Sequence, residues 1–284
     1  MIFVSSSCFS AEFTHHSVQA LAQAGFRNIE LTGGGKHDPN LLSNILELKV
    51  RYDLNLRCHN YFPVPTFPFV LNLGSKDNEI RRLSFQLISD ALMFSRAIGG
   101  REYGLHAGYL ADIPVEEIGN RISSVNLVDY DECLEVFATN LLEICSRVED
   151  IDIFVENNVV SKRNFETFGC QNCFLLTDSK SYDDLQSHIH FDLLLDVGHL
   201  FVSCNTLGLD YELELKCLNE KSRYLHLSDN NGLSDQNLPL DPNSTIGRSL
   251  RKMDLQQKTI TLEITSSFDE LWASYEFVER CKDG

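Results

Sequence analysis

The chain has 284 residues, 43% of them hydrophobic and 23% charged, the balance of an ordinary globular protein, and no run reaches the length of a membrane span. Lys and Arg number 24 against 41 Asp and Glu, a formal charge of −17. A protein that grips nucleic acid must neutralise phosphates with Lys and Arg, so this balance argues against such a partner, and bound metal is expected to offset part of the negative charge.

Nine cysteines, an odd count, are scattered through a chain long enough to build a core without disulfide staples, which points to a reducing cytoplasm. Barrels of alternating strands and helices reach this length as one unit, so a single domain over 1–284 is expected. Self-association into a homo-oligomer is compatible with the composition.

In chain order, Met1-Ile2-Phe3-Val4 lacks a basic leader and a small-residue cleavage pattern, and reads as the start of a first strand, Ile2–Phe9. An amphipathic helix His15–Ala24 follows, then strand Asn28–Thr32 and the loop Gly33-Gly34-Gly35-Lys36-His37. Helix Asn40–Tyr52 leads to strand Asn55–Tyr61. In helix Asn78–Ile98 the residues Ile80, Leu83, Leu87, Ile88, Ala91 and Leu92 recur at helical spacing, with Arg81, Arg82 and Asp90 between them. Gly25 and Gly99 stand where helix C-caps are expected.

Strand Glu102–Ala107, helix Tyr130–Val148, strand Ile151–Asn157, helix Tyr182–His188 and strand Phe191–Val197 continue the alternation. Helix Leu209–Asn219, strand Tyr224–Ser228, the long loop Asn230–Ser244, a short helix near Ile246–Met253, strand Thr259–Thr265 and helix Phe268–Lys282 complete it. Runs such as Ile151-Asp152-Ile153-Phe154-Val155 and Leu193-Leu194-Leu195 suit parallel strands buried on both faces. Eight strand-helix alternations argue for an α/β fold, a closed (β/α)8 TIM barrel, over a doubly wound sheet.

The metal-capable side chains fall in a pattern. His59, His106, Glu156, Asp196, His199, His226, Asp229 and Glu263 lie at, or just after, the C-terminal ends of six expected strands. In a barrel these ends converge on one rim, where like charges would repel without a cation. Any one of these residues alone is more often a hydrogen-bonded loop residue; the joint placement carries the signal.

Ile29-Glu30-Leu31, His106-Ala107-Gly108, Val155-Glu156-Asn157, Asp196-Val197-Gly198-His199, His226-Leu227-Ser228-Asp229-Asn230 and Leu262-Glu263-Ile264 resemble the xylose-isomerase-like barrel superfamily of sugar isomerases, sugar epimerases and endonuclease IV. The resemblance spans nearly the whole chain and implies a metal site made of Glu156, Asp196, His226 and Glu263. Three carboxylates and an imidazole suit Mn²⁺, Mg²⁺, Co²⁺ or Zn²⁺.

Two chemistries compete within the superfamily. The sugar epimerases carry a stretch that Asp229-Asn230-Asn231-Gly232 resembles, followed by a loop to which Leu238-Pro239 fits. The resemblance then implies a sugar or sugar-phosphate isomerase or epimerase. There a metal polarises the carbonyl and stabilises an enediolate, Glu156 and Glu263 exchange the proton, and His199 binds a hydroxyl or a second ion. Endonuclease IV is resembled in His59, His106, Asn72-Leu73-Gly74-Ser75, Arg81 and Ser84, and it implies metal-dependent phosphodiester hydrolysis at three zinc ions. Its third site needs Asp-x-His where this chain has Asp235-Gln236-Asn237, and asparagine is a poorer zinc ligand than imidazole. A third reading is a barrel that binds a sugar without converting it.

Three weaker features remain. Cys170-Gln171-Asn172-Cys173 has metal or redox spacing but no second pair. The glycine loop lacks P-loop spacing and reads as a mobile cover, with Lys36 or His37 touching substrate. Arg248 is a candidate for a substrate phosphate or carboxylate at a helix start.

Overall fold

The computed structural model describes residues 1–123 and 126–283; positions 124, 125 and 284, which the single-domain expectation includes, lie outside the described residues. Eight strands form among the described residues: β1 (Ile2–Ser5), β2 (Asn28–Leu31), β3 (Asn55–His59), β4 (Glu102–His106), β5 (Asp152–Glu156), β6 (Asp192–Asp196), β7 (Ser222–Leu227) and β8 (Thr259–Leu262). Each pairs in parallel with the next, and β1 pairs with β8, closing a barrel in sequence order. The α-helices are α1 (Thr14–Gln23), α2 (Leu41–Tyr52), α3 (Asn78–Ile98), α4 (Tyr130–Cys145), α5 (Lys162–Thr167), α6 (Ser179–His188), α7 (Val197–Leu207), α8 (Tyr211–Lys221), α9 (Thr245–Leu250) and α10 (Phe268–Asp283). This is the (β/α)8 barrel that the sequence predicts. None of the described helices is long and apolar enough to cross a membrane.

The departures from the sequence reading have local causes. Strand β1 stops at Ser5, because Ser6–Cys8 turns into a short 3-10 helix capped by the Ser5 hydroxyl. Helix α7, absent from the sequence reading, begins directly on β6: Asp196 ends the strand and its carboxylate accepts the N–H of His199 as an N-cap. Strand and helix therefore follow each other with no loop between them. Other helices also start on aspartates whose carboxylates accept first-turn N–H groups, Asp77 for α3, Asp129 for α4 and Asp210 for α8. Part of the acidic charge thus serves the helix dipoles.

The barrel interior decides where the site stands. Side chains alternate across a strand, so each rim residue has an inward neighbour two positions earlier. Below Glu156 lies Phe154, below Asp196 Leu194, below His226 Tyr224, below His59 Arg57 and below Glu263 Thr261, all buried. Phe154 and Tyr224 meet edge to face at 5.1 Å, and the Arg57 guanidinium lies over Phe3 at 3.7 Å and over Tyr224 at 4.2 Å. Gly104 faces the same interior: a Cβ there would stand 2.5 Å from His59 Nδ1 and 2.8 Å from Leu194 Cδ1. The missing side chain makes room for the imidazole.

Candidate metal centre

Register brings the rim residues into one layer. Across the ladders His106 faces Glu156, Asp196 faces His226, and His226 faces Thr261, two residues before Glu263. Glu263 lies one residue beyond β8, its N–H bonded to the Leu227 carbonyl, which continues the ladder.

Glu156 is the hub. Its Oε1 lies 3.1 Å from His226 Nδ1, and its Oε2 lies 3.1 Å from His59 Nε2 and 3.3 Å from His106 Nδ1. Glu263 Oε2 approaches the same His226 Nδ1 at 3.7 Å. His199 Nε2 stands 3.4 Å from Asp235 Oδ2 and 4.0 Å from Asp196 Oδ2. Three sets of donors converge within 4.8 Å of one another around the rim: His59, His106 and Glu156; Glu156, Asp196 and His199; and Asp196, His226 and Glu263.

These donors suit a divalent cation. Both Glu156 oxygens, His226 Nδ1 and His106 Nδ1 are buried without an aligned hydrogen-bond partner, a costly arrangement for groups taken out of water. Carboxylate and imidazole lone pairs aimed at one space are what a hard or borderline ion binds.

The electrostatics describe the same strain. Burial pushes the Asp196 carboxyl up to about 7, with Glu156 and Asp235 adding to the rise against His199. Burial likewise raises Glu263, helped by Glu156 and Glu30. Glu156 is held well below the usual carboxylate range, because the His106, His226 and His59 imidazoles outweigh its desolvation. His106 is lowered to about 4 by burial, with the other imidazoles adding to the fall against Glu156. His199 and His226 are raised well above the usual imidazole value, since the carboxylates around them overcome desolvation.

Beyond His106, His199 and Asp235 a cavity of about 380 Å³ opens, walled by Val70, Tyr109, Ile113, Ile122 and Phe174, with Asn158 and Asn164 among its polar groups. Asn158 is fixed by donating to the carbonyls of Ala107, Gly108 and Leu175.

Four residues singled out from the sequence lie away from this cluster. Asp229 is buried, but one oxygen accepts the Asn230 N–H and the other the Asp241 N–H, so it braces the loop after β7. Lys36 pairs with Glu12 at 3.0 Å on the surface, and His37 Nδ1 contacts the Val64 carbonyl at 3.0 Å beside a separate cavity. Arg248 donates to the Asn243 carbonyl and reaches Thr245 Oγ1. Lys36, His37 and Arg248 do not line the cavity beside the rim cluster. The Cys170 and Cys173 thiols are both free, the first exposed and the second buried.

Sequence reading assigns no role to the layer beneath, although Ile29-Glu30-Leu31 is among the segments of the resemblance. Glu30 is fully buried and Arg57 nearly so; Arg57 Nε lies 2.9 Å from Glu30 Oε2 and its Nη1 2.8 Å from Glu102 Oε2. Despite its desolvation, Glu30 is held down at about 2 by His226 and Arg57. The available signal was a glutamate in the middle of a strand otherwise fit for burial on both faces.

Comparisons place the fold among known proteins. An uncharacterized protein of Methanocaldococcus jannaschii is 26% identical over 242 residues, 84% of this chain and 73% of its own length. A crystal structure of a D-tagatose 3-epimerase-like protein superposes with a TM-score of 0.71 at 20% identity, covering 99% of this chain and 97% of the other. Endonuclease IV from Thermus thermophilus superposes with a TM-score of 0.61 at 15% identity, covering 99% of this chain and 98% of the other. At such identities these likenesses show the fold alone. The family model described as "Xylose isomerase-like TIM barrel" matches residues 18–275, and the chain belongs to that family.

Proposed function

We propose that the protein is a divalent-metal-dependent isomerase or epimerase of a small sugar or sugar phosphate. The observation that carries the reading is the pair Glu156 and Glu263, which reach His226 Nδ1 from two different strands at 3.1 and 3.7 Å, while His106, 3.3 Å from Glu156, lines a cavity of small-molecule size. Glu156, Asp196, His226 and Glu263 would hold the ion. When bound, it lends Lewis-acid polarisation to a substrate carbonyl and its neighbouring hydroxyl.

The chain's own groups do the rest. Two carboxylates facing one reacting carbon from different strands can take a proton from one face and return it from the other, the requirement for inverting a centre next to a carbonyl. His199 and Asp235 line the cavity, where they would bind a substrate hydroxyl. Tyr109, Ile122 and Phe174 would give the bound substrate an apolar wall.

A second reading, a metal-dependent phosphodiesterase, is favoured by one observation. Glu156 belongs both to a set with His59 and His106 and to a set with Asp196 and His199, so these residues would hold two ions sharing that carboxylate, the arrangement that supplies an activated water for attack on phosphorus. The acidic balance of the chain opposes a nucleic-acid substrate for it.

One experiment separates the two. Metal-loaded protein is incubated with pentoses, hexoses and their phosphates in D₂O, in parallel with abasic duplex DNA. Deuterium incorporated next to the carbonyl, and lost in Glu263→Gln, is the expected result. Nicking that depends on Glu263, with no exchange into any sugar, would replace the first reading by the second.

A further inference from the structure

Beneath the rim, hydrogen-bond direction can be deduced by counting protons. Glu30 Oε2 accepts from the Tyr224 hydroxyl and, at 3.0 Å, from the Thr261 hydroxyl. Thr261 itself accepts from Arg57 Nη2 at 3.2 Å, and Arg57 Nε stands 2.9 Å from the same Glu30 oxygen. A guanidinium stays charged in proteins, and a carboxylate that faces it and takes two hydroxyl protons acts only as an acceptor.

The single Tyr224 proton is therefore spent on Glu30. His226 Nε2 lies 3.3 Å from the Tyr224 oxygen, which has only lone pairs left to offer. His226 Nε2 also approaches Glu30 Oε1 at 2.9 Å, although that oxygen receives no aligned hydrogen bond. Both neighbours of Nε2 accept, so Nε2 must donate. A neutral His226 then has its lone pair on Nδ1, the nitrogen that faces Glu156 and Glu263.

We infer that Glu30 is a positioning residue which, through the Tyr224 hydroxyl, fixes His226 as the Nε2–H tautomer and presents Nδ1 to the ion. This rests on the reading of His226 as a metal ligand. Arg57 supplies the charge that keeps Glu30 an acceptor, and Glu102 holds the other side of the guanidinium. The relay thus runs through the barrel interior beneath the rim, and the same carboxylate raises the basicity of the ligating nitrogen.

The test uses full-length protein with ¹⁵N-labelled histidine, loaded with diamagnetic Zn²⁺. Nitrogen chemical shifts and long-range couplings should show His226 binding zinc through Nδ1, with a slowly exchanging Nε2–H. Tyr224→Phe keeps the ring packing and the Glu30–Arg57 pair but removes the relay; Glu30→Gln removes the charge.

Chelator competition should show zinc affinity falling by about 10- to 100-fold in both variants, the range expected when a ligand loses its outer partner. The Tyr224→Phe protein should keep its circular dichroism, which separates the effect from misfolding. Unchanged affinity and an unchanged Nε2–H signal in Tyr224→Phe would overturn the relay through the hydroxyl, and zinc bound through Nε2, or the same unchanged result in Glu30→Gln, would overturn the role of Glu30, each leaving the metal reading intact. Failure of the folded wild-type protein to bind zinc, manganese, magnesium or cobalt would overturn both.

Discussion

Gly104→Ala is the sharpest mechanical test of how the interior makes room for the rim. The added methyl would lie 2.5 Å from His59 Nδ1 and 2.8 Å from Leu194 Cδ1, both distances inside van der Waals contact. His59 is 3% exposed and Leu194 0%, so neither can swing into solvent. Leu194 sits mid-strand in β6 between paired neighbours, which leaves the imidazole to yield. Overpacking of this kind costs about 1–3 kcal/mol, and for large single domains each kcal/mol lowers Tm by about 2–4 °C. Urea unfolding followed by circular dichroism reads the stability, and metal titration reads the site. The variant should lose stability within that range and bind less metal at the position built from His59, His106 and Glu156. Stability and metal content both equal to wild type would refute the claim that Gly104 is required by the imidazole above it.

His199→Ala should impair turnover more than folding, since its ring lines the cavity; loss of the folded state with activity per folded molecule intact would reverse that assignment. Arg57→Met leaves Glu30 and Glu102 without their shared cation and should cost about 3–5 kcal/mol in urea unfolding. Glu30 has its carboxyl lowered from 4.5 to about 2, so its share of the stability is present above about pH 4.5 and lost as the pH falls toward 2. The stability difference between wild type and Glu30→Gln should shrink across that interval. Asp77→Ala removes the acceptor of the Glu79 and Ile80 N–H groups and should destabilise the protein by about 1 kcal/mol in the same assay.

The barrel was legible because its strands are short apolar runs with a helix after each, and because glutamate, aspartate and histidine are rare in such runs except at their ends. That same pattern led to the residues of the rim. Helix α7 was hidden because Asp196 both ends a strand and caps the helix, so no loop separates β6 from α7. Glu30 and Arg57 were given no role for a related reason: their partners lie on other strands, since β2–β3 pairing sets Arg57 opposite Glu30, β4 brings Glu102, and barrel closure brings Thr261 of β8. Lys36, His37 and Arg248 look available in the sequence, yet loop paths bring each a local partner, Glu12, the Val64 carbonyl and the Asn243 carbonyl. Asp229 is similar, since the chain returns to offer it the Asp241 N–H twelve residues later.

The central claim is that Glu156, Asp196, His226 and Glu263 hold a divalent ion. Anomalous diffraction from crystals of the protein soaked in Mn²⁺, recorded on both sides of the manganese edge, tests it most directly. The account predicts a peak bounded by these four residues, with ligand oxygens and His226 Nδ1 at about 2.0–2.6 Å. An ordered barrel with no peak at the rim, or a peak that leaves any two of the four on opposite faces of the barrel, would contradict it.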